Sequence, residues 1–366
     1  MPKAKKTPDF VLVSVTLTLL AIGIITVYSA SAQWAEIRFD DAFFFAKRQL
    51  LFAGLGIFAM FLIMQVDYWN WSNWSKLLLL GCFILLVAVL IPGIGLVRGG
   101  ARSWIGVGAF SIQPSEFTKL AMIAFLARYL AMNQKKITSF KKGLVPSLGV
   151  VMLAFGMIML QPDLGTGAVL VATCVVMIYV AGARVSHFVW LGFIGLIGFV
   201  ALIISAPYRI KRITSFLDPW SDPLGSGFQI IQSLYAIGPG GLLGLGLGQS
   251  RQKFGYLPEP QTDFIFAILT EELGFIGGSL VLLLFGLLLW RGIRIALGAP
   301  DLFGSLLSIG IIGMIAIQVM INIGVVTGLM PVTGITLPFL SYGGSSLTLM
   351  LMALGVLLNV SRYARY

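Results

Sequence analysis

Charged residues that could carry out chemistry stand at the edges of long apolar runs. Asp263 lies in PEPQTDFIFAILTEELG, where such a run begins, and Glu271 and Glu272 follow two helical turns later. A carboxylate at such a boundary is suited to act as a general base. Glu116 and Lys119 are three residues apart, so a helix would place them on one face, close enough to pair. These five residues are the first candidates for a functional site.

Arg102 in GARSWI and Asp163 in QPDLGTG add a cation and a further carboxylate beside apolar runs. An ionisable group at membrane depth costs roughly 2.5–3.5 kcal/mol, so its presence suggests a function. Each group also has a structural alternative. Glu116 could serve only to pair with Lys119, and Asp163 and Asp263 could serve only as helix caps. The residues alone do not decide between the functional and the structural interpretation.

The elements that must position these residues are hydrophobic helices. Of the 366 residues, 58% are hydrophobic and 11% are charged, and the mean hydropathy is +0.96. A bilayer core about 30 Å thick requires roughly 20 apolar residues per helix. We therefore predict an all-α integral membrane protein of about ten transmembrane helices, forming one domain over residues 1–366. The predicted spans are 11–32, 46–66, 75–92, 114–132, 144–162, 164–182, 187–206, 264–290, 303–327 and 338–360.

The distribution of Lys and Arg predicts a cytoplasmic-membrane protein with both termini in the cytoplasm. With residues 1–10 inside, the cytoplasmic segments hold 14 of the 25 basic residues and only three acidic ones, Asp9, Asp67 and Asp301. This is the asymmetry that the positive-inside rule describes. Because the net charge of +11 is scattered over short segments, it is a topology signal, and we expect no nucleic-acid partner.

The cysteines and the histidine restrict the possible chemistry. Cys82 and Cys174 fall inside predicted spans, where a thiol usually packs as a small apolar group. A disulfide framework or a metal cluster is therefore not expected. His187 is the only histidine, which argues against a His-dependent triad or a multi-His metal site.

Two connections on the predicted outer side are long, namely residues 93–113 and residues 207–263, the latter between helices 7 and 8. In the longer one, GFQIIQSLYAIG has the apolar spacing of an amphipathic helix. The glycine-rich GPGGLLGLGLGQS predicts turns or close backbone packing. Further basic residues extend the positive character of this loop: Arg209, Lys211, Arg212, Arg251 and Lys253.

The predicted topology brings Arg102, Glu116, Lys119, Asp163 and Asp263 to the outer surface from distant parts of the sequence. Cations there suit a phosphate group, which charge-assisted hydrogen bonds would hold. A carboxylate at the same depth suits a general base. The residues therefore predict an outward-facing site for an anionic, lipid-linked substrate.

The sequence also resembles a known family. The stretches GARSWI, SIQPSEFTKL, QPDLGT, DPLGSGFQIIQS, YLPEPQTDFIFAILTEELG and GITLPFLSYGGSS closely resemble the SEDS family of bacterial cell-wall polymerases, over nearly the whole chain. SASAQWAE and NVSRYARY are most similar to the sporulation branch of that family. The resemblance implies an inverting peptidoglycan glycosyltransferase that extends glycan strands from lipid II outside the membrane. Its sporulation branch implies the spore cortex and the forespore outer membrane.

The resemblance also implies roles for single residues. The essential acid of the TDFIFA motif falls on Asp263, the expected catalytic base. Gln261 stands where many relatives have histidine, which weakens a metal-binding role at that position. The other motifs, together with Asp163 from the topology, give the substrate-binding candidates Trp104, Arg102, Glu116, Lys119, Asp163 and Ser341.

The resemblance implies lipid II, the growing glycan strand, membrane lipid and a class B penicillin-binding protein as partners. A divalent cation, Mg²⁺ or Mn²⁺, is a candidate cofactor for stabilising the leaving pyrophosphate. Two rival functions are a lipid II flippase and a non-catalytic scaffold. A flippase predicts polar groups through the middle of the bundle, where charge is scarce apart from Glu271 and Glu272.

Overall fold

The computed structural model describes residues 6–98, 100–107, 110–205 and 207–365. Within this part of the chain the helices are α1 (Phe10–Phe39), α2 (Phe44–Gln65), α3 (Tyr68–Leu90), α4 (Pro114–Met132), α5 (Gln134–Ile137), α6 (Val145–Met159), α7 (Leu164–Val180), α8 (Val185–Ile204), α9 (Pro207–Leu217), α10 (Phe228–Ile237), α11 (Ile265–Gly298), α12 (Leu302–Val326) and α13 (Gly344–Ser361). A π-helical turn, Phe140–Leu144, leads into α6, and short 3-10 turns cover Pro219–Ser221 and Gly238–Gly240.

Hydrophobic helices dominate the fold, as the sequence predicts. Seven helical segments of the described chain are long and apolar enough to cross a membrane, and α7 and the Val185–Gly198 part of α8 are shorter apolar segments. Each predicted span coincides with a helix, including α4, which carries Glu116 and Lys119. The helical membrane fold is confirmed, while the number of ten crossings stays a prediction. Cys82 and Cys174 are free and buried, in agreement with a packing role.

The last predicted span begins too early. The prediction starts it at residue 338, but α13 begins at Gly344. Pro338 has no backbone N–H to donate, and Phe339 has a φ of 65°, in the left-handed region that helices avoid. Residues 327–343, which we call the 327–343 segment, therefore form a folded connection between α12 and α13.

The connection between α3 and α4, predicted to lie on the outer side, contains a small antiparallel sheet that we did not predict. Its strands are β1 (Gly95–Arg98), β2 (Ala101–Val107) and β3 (Phe110–Ile112), in the spatial order β1-β2-β3. The register pairs Leu96 with Trp104 and the next residue, Val97, with Arg102, so Ser103 is an extra residue that forms a bulge in β2 between Arg102 and Trp104. β1 and β3 are too short to be recognised in a sequence, and the β2 sequence ARSWIGV does not alternate between apolar and polar residues.

The two ends of the described chain are tied together, at the end of the bundle remote from Asp263. The Lys6 backbone N–H donates to the Arg362 carbonyl at 2.9 Å. Arg291, near the end of α11, donates through Nε to the Asp9 carboxylate at 2.9 Å. The side chains of Arg209 and Arg212, which we predicted to extend the positive surface, lie outside the described residues.

Candidate active site

Asp263 lies on the turn that leads into α11. The N-cap position of that helix is Phe264, and no side chain forms a capping hydrogen bond there. The Asp263 side chain is partly exposed. Gly334, with φ 76°, lies opposite, and a Cβ added to it would be 3.7 Å from Asp263 Oδ2. The 327–343 segment thus passes directly beside the predicted catalytic carboxylate.

Ser341 fixes this segment against the turn. Its hydroxyl donates to the Thr262 carbonyl at 2.7 Å and accepts from the Leu337 N–H at 2.8 Å. Gln49 Nε2 donates to the Ser341 carbonyl at 3.1 Å. Ser341 is 4% exposed, and its hydroxyl therefore connects two backbone segments next to Asp263. Direct substrate binding by Ser341 stays a prediction.

Glu116 and Lys119 form the predicted pair on the first turns of α4. Lys119 Nζ donates to Glu116 Oε1 at 2.8 Å, and the two residues are 3% and 6% exposed. The second carboxylate oxygen, Glu116 Oε2, is buried and has no hydrogen-bond partner. A buried acceptor without a donor is costly. This oxygen is therefore a position where a substrate hydroxyl or a water molecule would be stabilised.

Asp163 caps α7 and also reaches α4. Its Oδ1 accepts from the Thr166 N–H at 3.0 Å, and its Oδ2 accepts from Gln113 Nε2 at 2.9 Å. Burial raises the pKa of the Asp163 carboxyl, against the lowering effect of the Thr166 hydrogen bonds. The charge of Glu116 raises this pKa further and that of Lys119 lowers it. The three charged groups therefore form one electrostatic cluster.

The 327–343 segment lies between this cluster and Asp263. A Cβ added to Gly165, two residues after Asp163, would be only 2.7 Å from the Thr333 carbonyl oxygen, so no side chain fits there. Gly334, which follows Thr333 in the segment, faces Asp263. Two acidic regions that are 100 residues apart in sequence are therefore brought to the two sides of one short backbone stretch.

Arg102 and Trp104 belong to a third group, on the sheet. The Arg102 guanidinium reaches the Leu90 carbonyl at 3.5 Å, at the end of α3. Ser345, at the start of α13, donates to the Ser111 carbonyl on β3 at 3.0 Å. Arg102 and Trp104 are both partly exposed. The sheet is thus attached to the helix that follows the 327–343 segment.

The two glutamates inside α11 hold part of the long connection between α8 and α11. Glu271 accepts from the Ser250 hydroxyl and, at 2.9 Å, from the Arg251 N–H. Glu272 accepts from the Ser29 hydroxyl at 2.6 Å and from Lys253 Nζ at 3.3 Å. Both glutamates are 1% exposed. They therefore anchor residues 241–257, which we call the 241–257 loop.

The glycine-rich sequence of this loop is explained by a close approach to α11. Gly274 interrupts the helix with φ 66° and ψ −166°, a conformation that only glycine adopts readily. A Cβ on Gly274 would lie 2.4 Å from the Gly244 nitrogen. The Phe275 N–H donates to the Gly241 carbonyl at 2.8 Å. The predicted turns and close backbone packing are confirmed.

The predicted amphipathic helix of the outer loop is α10. Its apolar face is buried, with Ile230 2% and Ile231 3% exposed. The Ser233 hydroxyl donates to the Val326 carbonyl at 2.7 Å, at the end of α12. The helix therefore packs on the bundle at the end of α12.

Nearly the whole chain matches one protein family. The match to the FtsW/RodA/SpoVE family, described as cell cycle proteins, extends over residues 10–366. The chain belongs to this family. It is 76% identical to stage V sporulation protein E of Bacillus subtilis (strain 168) over all 366 residues, 100% of both proteins. It is 44% identical to a probable peptidoglycan glycosyltransferase FtsW of Geobacter sp. (strain M18), with 98% and 97% of the two chains aligned.

Solved structures of the FtsW/RodA/SpoVE type have the same fold. A chain from a peptidoglycan synthase complex that coordinates polymerization and crosslinking matches with a TM-score of 0.79 and 34% identity, over 97% of this chain and 98% of that one. The rod shape determining protein RodA of Thermus thermophilus matches with a TM-score of 0.72 and 31% identity, over 97% of each chain. The resemblance to the SEDS family is confirmed.

Two site residues of this FtsW/RodA/SpoVE member were not predicted from its sequence. Gln113 connects Asp163 to the start of α4, and Asn322 on α12 contacts the backbone of Asp263. Gln113 stands in the SIQPSE motif, which could have drawn attention to it. Asn322, like Gln318 one turn earlier, is an amide within an apolar run, and such a residue is itself a signal.

The described residues of this family member contain no group of three or more His, Cys, Asp and Glu side chains that could hold a metal ion. Mg²⁺ prefers an octahedron of oxygen ligands, which proteins often complete with substrate phosphates. Glu116 Oε2 is an oxygen of the right kind, but it stands beside the Lys119 ammonium. A divalent cation therefore fits this chain only if the substrate supplies most of its ligands.

Proposed function

We propose that this chain is an inverting peptidoglycan glycosyltransferase that polymerises lipid II at the outer face of the cytoplasmic membrane. The observation that carries the proposal is the position of Asp263 in the TDFIFA sequence, on a turn whose backbone is bonded to the 327–343 segment. Relatives that share 44% and 45% of their residues with it are named probable peptidoglycan glycosyltransferases.

Asp263 is the general base of the proposed reaction. Its carboxylate takes the proton from the 4-hydroxyl of the acceptor N-acetylglucosamine as that oxygen attacks the anomeric carbon of the donor N-acetylmuramic acid. The bond from this carbon to undecaprenyl pyrophosphate breaks, and its electron pair leaves with the pyrophosphate oxygen. Because attack and departure occur on opposite faces of the sugar, the configuration at the anomeric carbon inverts.

The leaving pyrophosphate needs a cation that can face the substrate. Lys119 is 3% exposed and already pairs with Glu116. Arg102 is partly exposed, and its guanidinium has the planar donor geometry that suits phosphate oxygens. We therefore assign the pyrophosphate contact to Arg102, and we assign packing against sugar or lipid to Trp104 on the same strand.

The setting that we propose is spore cortex synthesis, in the forespore outer membrane. It is supported by the 76% identity to stage V sporulation protein E. We further propose a class B penicillin-binding protein as partner, since the matched synthase complex combines polymerization with crosslinking. Septal or side-wall synthesis would be the alternative, because an FtsW relative is 44% identical to this chain and RodA shares its fold.

The contacts of the two mid-bundle glutamates argue against a flippase. A flippase requires polar groups along a path through the bundle. Glu271 and Glu272 instead bind the 241–257 loop through Ser250, Arg251 and Lys253. A pure scaffold gives no reason for Asp263 to face Gly334 and remain partly exposed.

The test is polymerisation of labelled lipid II by the purified chain, alone and with its penicillin-binding partner, followed on a gel. Asp263→Asn should lower the rate by a factor of about 100 to 10,000, the usual contribution of a general base. The matched control is Glu259→Gln, which removes an exposed carboxylate four residues earlier on the same turn.

The control should polymerise at nearly the wild-type rate. Full activity of the Asp263→Asn protein would refute the base assignment. Transport of lipid II across vesicles by a variant that cannot polymerise would instead support the flippase.

A further inference from the structure

The buried amide of Asn322 suggests a further contribution to the proposed reaction. Asn322 lies near the end of α12 and is 1% exposed. Its Nδ2 donates to the Asp263 carbonyl and to the Ile335 carbonyl, both at 2.8 Å. Only the NH₂ side of an amide can satisfy two carbonyl acceptors, so these bonds determine how the side chain is oriented. One side chain thus ties the turn of Asp263 to the 327–343 segment.

The bonds of Asn322 complete a continuous series along the backbone. The Gln261 carbonyl accepts from the Tyr342 N–H at 2.8 Å, and the Thr262 carbonyl accepts from the Ser341 hydroxyl at 2.7 Å. The Asp263 carbonyl accepts from Asn322. Three successive carbonyls are therefore held by groups from α12 and the 327–343 segment. This restricts rotation of the backbone at Asp263, and hence the direction in which its carboxylate points.

An asparagine at this buried position has a cost in free energy. The surrounding helix is apolar, and Asn322 Oδ1 is buried without a hydrogen-bond partner. A buried polar group of this kind costs free energy unless its bonds compensate. Leucine would fill nearly the same volume without that cost. The donors of Asn322 are therefore the property that the position requires.

We propose that Asn322 is a positioning residue, which holds the Asp263 carboxylate in the geometry needed to accept the sugar hydroxyl's proton. The proposal rests on the proposed function, because it assumes that Asp263 is the base. Asn322 itself does not touch the substrate in this mechanism. Its contribution lies in the barrier to the chemical step and not in the affinity for lipid II.

The test compares two leucine substitutions on the same helix in the full-length protein. Asn322→Leu removes both bonds to the site. Gln318→Leu, one turn earlier, removes an equally buried amide, whose Nε2 has no hydrogen-bond partner. Thermal unfolding, binding of lipid II and the rate of polymerisation are measured for both variants and for Asp263→Asn.

Asn322→Leu should lower the maximal polymerisation rate by about 100-fold, the effect of misplacing a reacting group by roughly 1 Å. Its affinity for lipid II should stay within about threefold of the wild type, because a group that acts only on the barrier leaves binding unchanged. Its unfolding temperature should fall modestly below that of Gln318→Leu, because the Asp263 and Ile335 carbonyls lose their donor.

Two results would overturn the proposal. The first is a rate for Asn322→Leu equal to that of Gln318→Leu. The second is a parallel loss of rate, lipid II affinity and unfolding temperature, which indicates a role in the fold alone. The Asp263→Asn variant separates the hypothesis that Asp263 is the base from the hypothesis that Asn322 positions it. An active Asp263→Asn protein refutes the base assignment, whereas an inactive one with a fully active Asn322→Leu protein refutes only the positioning.

Discussion

The ammonium of Lys119 lies 2.8 Å from Glu116 Oε1, and both side chains are almost completely buried. At the residue scale this pair has two possible roles. It could bind the substrate, as the family motif implies, or it could mainly stabilise the start of α4. Removing one partner of a buried pair leaves an uncompensated charge, whereas removing both together avoids this cost. Stability and activity can therefore be separated by single and double substitutions.

Lys119→Met should lower the free energy of unfolding by about 3 kcal/mol or more, because the Glu116 carboxylate loses its cation in a buried environment. The double variant Glu116→Gln/Lys119→Met should recover most of this stability. Thermal or chemical unfolding in detergent measures both. A Lys119→Met protein that unfolds like the wild type but no longer polymerises lipid II would show instead that the lysine serves the substrate.

At the element scale, α11 combines three tasks along one helix. The turn that leads into it carries Asp263, its interior glutamates hold the 241–257 loop, and Gly274 makes room for that loop. The long loop between α8 and α11 is therefore held against α11 by these contacts. Ser29 on α1 joins the same contacts through Glu272, so the first helix of the bundle supports the loop as well.

Gly274→Ala should destabilise the protein by at least roughly 1–3 kcal/mol, the cost of a residue held in an unfavourable backbone conformation. The new Cβ would also meet the Gly244 nitrogen at 2.4 Å. The matched control is Gly286→Ala on the same helix, where no atom lies within 4 Å of the added Cβ. Thermal unfolding and limited proteolysis of the 241–257 loop measure the effect.

The control should be neutral or slightly stabilising, since alanine is favoured over glycine in helices by up to about 1 kcal/mol. Equal behaviour of the two variants would contradict the explanation of the glycine-rich loop as a close-packed contact.

At the scale of the whole molecule, the chain ends and the site lie at opposite ends of the bundle. The Lys6–Arg362 backbone bond and the Arg291–Asp9 ion pair close one end. Asp263, Asp163 and the sheet lie at the other. An outward-facing active site therefore requires that both termini are in the cytoplasm, as the distribution of Lys and Arg predicts.

Thiol labelling of intact cells tests this orientation. In a protein with Cys82 and Cys174 replaced by alanine, we compare Ser221→Cys with Ser139→Cys, because both serines are exposed and lie in opposite predicted compartments. A membrane-impermeant reagent should label position 221 in intact cells, and position 139 only after permeabilisation. The reverse pattern would place the site in the cytoplasm and refute the proposed outer location.

The sequence by itself determined the class of the protein and the residues that deserve attention. Apolar runs of about 20 residues predict membrane helices because a helix satisfies its own backbone, whichever neighbours it later acquires. The motif around Asp263 and the spacing of Glu116 and Lys119 likewise depend only on residues that are close together in the sequence. These predictions agree with the fold and with the pair that the structure shows.

Only the tertiary structure decided how these residues are connected. The Ser341 hydroxyl finds its partner 79 residues away, and Ser29 meets Glu272 across 243 residues. In the same way Asn322 could be paired with the Asp263 backbone only once α12 and the 327–343 segment had been placed. The physical reason is that a buried polar group must find a partner, and its identity depends on which distant segments the packed helices bring within 3 Å or so of it.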